Sequence, residues 1–224
     1  MRYILADIET TGLKSTDKIC ELAWVEVDND FNTVGSGYSL INPEIPIGYA
    51  ARAVNGISDD MVMDAPTIEQ YMIAESLPLY GEDVVLVAHN ASFDFRFLKS
   101  YMHRDSQTLC TLKAASVIYP DADNHKQATL AAMLGIQVER EKAHSADGDL
   151  DVLLQLLKCL CRDADCGIDQ LLHIQNTPRN VTKISFGKHK GAKLVDLPKD
   201  YVHWLLNKCD NLSSDLRAAL LALQ

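Results

Sequence analysis

No stretch of this 224-residue sequence approaches the roughly 20 consecutive apolar residues that a membrane-spanning helix requires. The opening Met1-Arg2-Tyr3-Ile4-Leu5-Ala6-Asp7 reaches an acid too early for the apolar core of a signal peptide. A cytoplasmic location and no membrane partner are therefore expected. Zinc-type cysteine pairs are also missing. The six cysteines stand at 20, 110, 159, 161, 166 and 209, and none forms a CxxC pair. Cys159, Cys161 and Cys166, with His173 beyond, are poorly spaced for a structural zinc, so reduced thiols are expected. Internal repeats and low-complexity tracts are absent, as is the GxxxxGK[ST] spacing of a phosphate-binding loop. Basic residues are scarce: 21 Lys and Arg stand against 31 Asp and Glu, a net charge of −10. What remains is ordinary for a folded chain, with 47% hydrophobic and 23% charged residues. Disorder as the main state is excluded, and the length suffices to bury a core without disulfides or structural metal.

The charge is unevenly spread. Residues 180–208 carry six lysines and two aspartates, a local +4, residues 209–224 carry −1, and residues 1–179 carry the remaining −13. An acidic body repels polyanions. Handling of nucleic acid by this chain requires bound divalent cations, the basic tail, or both to reverse the field locally.

The pattern along the chain is α/β. Tyr3–Ile8 reads as a buried strand, and Ile19–Asp28 and Val34–Ile41 add a second and third in an antiparallel meander. Pro43 and Pro46 mark a loop. Asp59 or Asp60 is a candidate cap for a short helix, and Thr67 for a longer one through Tyr80. The five apolar residues Val84–Ala88 suit a central strand covered on both faces. Phe93, Phe97 and Tyr101, at spacing four, predict a helix over 93–101. Helices are also expected over Thr111–Ile118, over Gln127–Leu134 with Gly135 ending it, and over Ala146–Leu160. Three units follow: a main domain over 1–165, a connector over 166–179, and a small basic module over 180–224, whose apolar end at Leu216–Leu223 is either helix core or a partner surface. The small module is marginal by size alone.

Carboxylates carry the candidate chemistry. Asp7 and Glu9 end the first strand, and side chains at i and i+2 share one face. Two carboxylates so placed repel one another unless a cation holds them; taken alone, the dipeptide fits a pair of exposed acids at a strand end better. Thr10-Thr11-Gly12 follows at once, a turn able to grip a terminal nucleotide. His89-Asn90-Ala91-Ser92-Phe93-Asp94 closes the Val84–Ala88 strand. Asn90 or Ser92 is a candidate cap there, and Asp94 sits in the next helix's first turn, where an acid is also favourable for the helix itself. His144 precedes a further helix, with Asp149 in its first turns and Asp147 as its rival.

Taken in order, Asp7-x-Glu9-Thr10-Thr11-Gly12, Asn90-Ala91-Ser92-Phe93-Asp94 and His144-x4-Asp149 closely resemble the three motifs of the DEDDh (DnaQ-like) 3′–5′ exonuclease superfamily. That superfamily includes polymerase proofreading subunits, RNase T, oligoribonuclease and exonuclease X. The resemblance spans roughly residues 1–160. It implies a ribonuclease-H-like exonuclease fold, with a central mixed sheet flanked by helices. Val54-Asn55-Gly56-Ile57-Ser58 resembles the superfamily's loop between motifs, usually His-Gly-Ile, with Asn55 in place of the histidine. The tail adds Phe186-Gly187-Lys188-His189-Lys190-Gly191, Leu194-x-Asp196-Leu197-Pro198 and Tyr201-x-x-Trp204-Leu205. These, with Leu109-Cys110-Thr111-Leu112-Lys113, are similar to the exonuclease X branch.

The resemblance implies that Asp7, Glu9, Asp94 and Asp149 hold two Mg²⁺ or Mn²⁺ ions and that His144 is the general base. It implies DNA as the favoured substrate, cut from the 3′ end to 5′ mononucleotides. Thr10, Thr11, Gly12, Leu13, Asn90 and Phe93 are the candidate substrate contacts, although the spaced aromatic face assigns Phe93 more readily to the core. In the tail, Lys188, Lys190 and Lys193 are candidates for phosphate contacts, and Phe186, Tyr201 and Trp204 are candidates for stacking on bases, with assignment to a small core preferred. A homodimer, or a partner in replication or repair, is a further expectation. The competing readings are an RNA exonuclease of the RNase T or oligoribonuclease type and a non-catalytic interaction module. The presence of all five catalytic-type residues argues against the second.

Overall fold

The computed structural model describes residues 1–74, 79, 83–138, 145–209 and 212–223. Strands β1 (Arg2–Thr10), β2 (Ile19–Val27) and β3 (Thr33–Leu40) form the expected antiparallel meander. Helices α1 (Tyr49–Asn55), α2 (Asp59–Val62) and α3 (Ile68–Ala74) lead to strand β4 (Val84–Ala88). Helix α4 (Asp94–Leu98), the 3₁₀ turn Lys99–Tyr101 and strand β5 (Gln107–Cys110) follow. Then come α5 (Thr111–Ile118), α6 (Gln127–Leu134), α7 (Ala146–Asp163) and α8 (Ile168–Ile174), and in the tail α9 (Lys199–Lys208) and α10 (Ser214–Leu221).

The sheet order is β3-β2-β1-β4-β5. β4 lies parallel to β1, with Leu5 opposite Val87, and parallel to β5, with Val87 opposite Leu109. The sheet is therefore mixed, and all five β4 residues are buried because both faces are covered. Alternation along β1 sorts the side chains. Tyr3 and Leu5 join Val25, Val87 and Leu109 under the leucines of α7. Ile4, Ala6 and Ile8 join Leu22, Trp24 and Leu86 on the opposite face, beneath Tyr71, Phe95 and Leu98. By the same alternation Asp7 and Glu9 fall on the α7 side.

Several local expectations are revised. Ser58, not Asp59 or Asp60, precedes α2, and Asp59 instead accepts the Ile47 N–H at 2.8 Å and pairs with Arg52. Neither Asn90 nor Ser92 caps α4. Asn90 takes a left-handed backbone (φ 63°), and its carbonyl accepts the Phe93 N–H at 2.8 Å. Of the helix expected from Thr67 to Tyr80, α3 is observed, and residues 75–78 and 80 lie outside the described residues. Helix α8 occupies part of the stretch read as a connector, and its Ile168 and Leu171 belong to the main core. The polar Gly-Asn-Thr-Pro composition around it masked this short apolar face.

The tail has a separate core of Ile184, Leu194, Leu197, Tyr201, Leu205, Leu216 and Leu220. Leu216 and Leu220 are thus core, while Leu221 and Leu223 are exposed. Of the aromatics assigned to this core, Tyr201 is buried, but Trp204 is 49% and Phe186 38% exposed. A unit this small has too little interior to enclose three aromatic rings. Among the described residues no helix is long and apolar enough to cross a membrane. All six cysteines are free.

Candidate active site

Three acids converge beside the end of β1. Ligand atoms of Asp7, Glu9 and Asp149 lie within 4.8 Å of one another, and each residue is half-buried. The first two arrive there because β1 alternates. The third arrives because α7 packs along the same sheet face, with Leu150, Leu153, Leu156, Leu157 and Leu160 buried. Asp149 lies in the first turn of α7, where Ser145 caps the helix by accepting the Gly148 N–H at 3.2 Å. Asp94 opens α4 and is buried. Parallel pairing ends β4 level with Ala6, so the segment carrying Asp94 emerges beside Asp7.

The electrostatics follow from this crowding. Lost hydration pushes the Asp7 carboxyl well above its ordinary range, and the charges of Asp94, Asp149, Glu9 and Glu21 push it further. Glu9 rises from 4.5 to about 7, chiefly through burial, and the neighbouring Asn55 amide offsets part of that rise. Asp94 also rises to about 7 by burial, against the opposing effect of N–H groups from its own backbone and Ile8. Asn55, standing at the superfamily's histidine position, also donates to the Thr10 carbonyl (3.4 Å) and accepts the Ile57 N–H (3.0 Å).

The donor set tests well against a metal. Every ligand atom is carboxylate oxygen, which suits hard divalent cations. Asp7 is pressed by burial and by the like charges of Asp94, Asp149, Glu9 and Glu21, the strain that a bound cation relieves. Among the described residues, no other group of three His, Cys, Asp or Glu side chains is assembled as these are.

The remaining candidates fall in two places. Thr10 and Thr11 are buried in the turn after β1: the Thr10 hydroxyl donates to the Gly12 carbonyl at 2.7 Å, and Thr11 Oγ1 accepts the Lys18 N–H at 3.0 Å. The Gly48 N–H, just before α1, donates to the Thr11 carbonyl at 3.1 Å. Leu13 stands 77% exposed at the rim, with the Arg96 guanidinium donating to its carbonyl at 2.8 Å. Asn90 is exposed, and Phe93 packs edge-on against Phe97 at 5.4 Å on the helix-α4 side of the core. Lys188, Lys190 and Lys193 stand apart on the tail. His144 lies outside the described residues.

One acid escaped the sequence reading. Glu21, opposite Glu9 in the β1–β2 register, is buried, accepts the Tyr38 hydroxyl at 2.7 Å and accepts the Ala146 N–H at 2.8 Å. It therefore ties the first residue of α7 to the sheet at the level of the acidic cluster. A carboxylate at a helix N-terminus is favourable. The available signal was a glutamate inside an otherwise apolar strand, since lone buried acids are rare.

Comparison with known proteins points to one family. Residues 4–157 match the family model described as Exonuclease. Residues 175–210 match a model described as a putative quorum-sensing-regulated virulence factor. Exodeoxyribonuclease 10 of Escherichia coli K12 is 30% identical over 222 residues, 96% of each chain. A DNA polymerase III subunit epsilon-like protein of Rhodobacter capsulatus is 34% identical over 172 residues, 71% of this chain and 24% of that protein; the chain thus spans about a quarter of that relative. The solved structure of Exonuclease X in complex with 5′ overhanging duplex DNA superposes with a TM-score of 0.64 at 28% identity, covering 78% of this chain and 99% of that one. On the family match over most of its length and on its end-to-end relative, this chain belongs to the DEDDh, DnaQ-like 3′–5′ exonuclease family.

Proposed function

We propose that this chain is a divalent-cation-dependent exonuclease that removes 5′ mononucleotides from the 3′ ends of DNA. The observation that carries this reading is the convergence of Asp7, Glu9 and Asp149 within 4.8 Å, with Asp94 pressing on Asp7 electrostatically. These four carboxylates would hold two Mg²⁺ or Mn²⁺ ions. When bound, such ions lower the pKa of an attacking water and offset charge on the leaving 3′ oxygen. His144 would serve as the base that accepts a proton from the attacking water; an imidazole suits the task near neutral pH. Its assignment rests on the sequence spacing to Asp149.

The turn residues 10–12 form the floor for the terminal nucleotide, and the exposed Leu13 side chain offers an apolar contact for its base and sugar. Asn90 and Phe93 come from the end of β4 and the start of α4, where Arg96, stacked 4.8 Å from the Phe93 ring, also holds the Leu13 carbonyl at 2.8 Å. Apolar and stacking contacts treat every base alike, so cleavage is independent of sequence. DNA as substrate is supported by the name of the relative that matches end to end, an exodeoxyribonuclease, and by the duplex DNA in the Exonuclease X complex.

The test is hydrolysis of matched DNA and RNA oligonucleotides labelled at either end, with Mg²⁺, Mn²⁺ or EDTA. A 3′ label should leave as a mononucleotide, a 5′ label should form a descending ladder, and EDTA should stop both. Faster loss of RNA would move the substrate class to ribonucleic acid. Metal-independent or internal cleavage would overturn the proposal.

A further inference from the structure

We infer that residues 183–193 of the C-terminal module form a second nucleic-acid contact, gripping phosphates of the substrate strand away from its 3′ end. The inference extends the nuclease reading to a surface that the carboxylate centre does not use.

The segment is a folded turn rather than a loose tail. The Ile184 N–H donates to the Ala192 carbonyl (3.0 Å), the Gly191 N–H to the Ile184 carbonyl (2.7 Å) and the Leu194 N–H to the Thr182 carbonyl (2.8 Å). Lys183 and Lys193 pair as an isolated bridge. Gly187 has φ 72°, and a Cβ there would stand 2.6 Å from the Tyr201 hydroxyl oxygen, so the turn closes directly on that ring. Lys183, Lys188, Lys190 and Lys193 are thereby presented together on a fixed support, all exposed. Among the described residues, no acid pairs with Lys188, Lys190 or Lys193, and Lys183 reaches only Asp121 at 3.9 Å.

Aromatic rings stand beside these cations. The Lys188 ammonium lies 5.4 Å from the Tyr201 ring centre, and Tyr201 stacks on Trp204 at 5.7 Å. His189 meets Tyr201 edge-on at 4.5 Å. Trp204 and Phe186 keep 49% and 38% of their surface in water. Unpaired cations beside exposed aromatic rings are the combination that binds a single strand, through phosphates and base faces respectively. A protein partner that is merely acidic would have no use for the rings.

Position also favours the same strand. The Lys183 contact reaches Asp121 on the loop after α5. In that loop the His125 ring donates to the Tyr119 carbonyl, and the His125 carbonyl accepts Nε2–H of His89, each at 2.9 Å. His89 follows β4 directly, beside the acidic cluster. The module thus attaches at the end of the sheet that carries the carboxylates. A strand whose 3′ terminus enters an acidic centre is repelled by the −13 body along its length, and a +4 module at that end counters the repulsion.

The test measures binding rather than cleavage. Fluorescence anisotropy of 5′-labelled single-stranded DNA, about 4 and about 16 nucleotides long, is recorded in EDTA over a salt titration. Without cations the acidic centre only repels, so the affinity reads the module. Wild-type protein should bind the longer strand more tightly. K188A/K190A/K193A should weaken that binding about tenfold at low salt and reduce the log–log salt slope by about 2, as expected for three lost phosphate contacts. The corresponding triple Lys→Arg variant should keep both affinity and slope. Wild-type affinity and slope in the triple alanine variant would overturn the inference and leave the face to a protein partner. Because no hydrolysis is measured, loss of the nuclease reading and loss of this one are separate results.

Discussion

The carboxylate centre and the C-terminal turn each collect charge of one sign, but they hold it in opposite ways. At the centre, strand alternation and helix packing force Asp7, Glu9 and Asp149 together at the edge of a core, and the Asp7 and Glu9 carboxyl groups resist ionisation. On the turn, four lysines stand in water on a hydrogen-bonded support, where repulsion between them is screened. Packing energy holds the first set in an unfavourable state that a cation relieves. The second is at ease alone and gains only when a polyanion arrives. The two proposals converge on one ligand: a nucleic-acid strand whose terminal phosphate would meet cation-loaded acids and whose remaining phosphates would meet lysine directly.

The sharpest break in this comparison is Asp7→Asn, which removes one charge at nearly constant shape. Activity on a 3′-labelled strand should fall by a factor on the order of 1,000 or more, the loss of several kcal/mol of transition-state stabilisation. The melting temperature of the cation-free variant at neutral pH should rise, because repulsion has been removed. Near-full hydrolysis by this variant in saturating Mg²⁺ would refute the centre. His144→Ala should cost less, about a hundredfold.

Asp7, Glu9 and Asp149, which the structure brings together, could be singled out because they flank strong periodic signals and match the superfamily's motifs in order. Asp7 and Glu9 end an apolar run, and Asp149 opens the most leucine-rich helix. Less was legible where elements are short or where partners are distant in sequence. β5 has four residues, two of them exposed, and gives no alternation worth reading. Helix α1 has no buried residue, so it leaves no apolar stripe. Instead it is tied to the turn after β1 at both ends, by the Gly48 N–H and the Asn55 amide. The exposure of Trp204 was hidden because its spacing from Tyr201 and Leu205 reads as core, and only the small volume of the module decides otherwise.

The second prediction concerns cations and stability. Glu9 and Asp94, each near 7 when folded, have ordinary values of 4.5 and 3.8. Between those limits the folded protein keeps protons that the unfolded chain has released, so stability falls as pH rises through that window. Melting temperature in EDTA should drop by several degrees from about pH 5 to about pH 7. Excess Mg²⁺ should remove the drop, since it binds the ionised acids of the folded state only. Calorimetric titration in buffers of different ionisation enthalpy should register proton release as the cation binds. An unchanged pH slope with Mg²⁺ present would mean that these carboxylates are not where the cation goes.

The smallest effect is the most informative about how the centre is held. Glu21 touches no candidate substrate contact, yet it accepts the Ala146 N–H and its charge raises both Asp7 and Glu9. Glu21→Gln keeps an acceptor for that N–H and deletes the charge, whereas Tyr38→Phe keeps the charge and deletes the hydroxyl that Glu21 accepts. If Glu21 acted only as a helix anchor, both variants would lower kcat by a similar small factor with no change in the pH profile. The electrostatic role gives a different result. Glu21→Gln should move the acidic limb to lower pH, because the centre ionises more readily with one fewer neighbouring charge, while kcat at the optimum falls about tenfold or less as the start of α7 loosens. Tyr38→Phe should leave the limb in place. Coincident pH profiles for the two variants and the wild type would reduce Glu21 to a packing role. They would also mean that the repulsion stored in the centre is set by Asp7, Glu9, Asp94 and Asp149 alone.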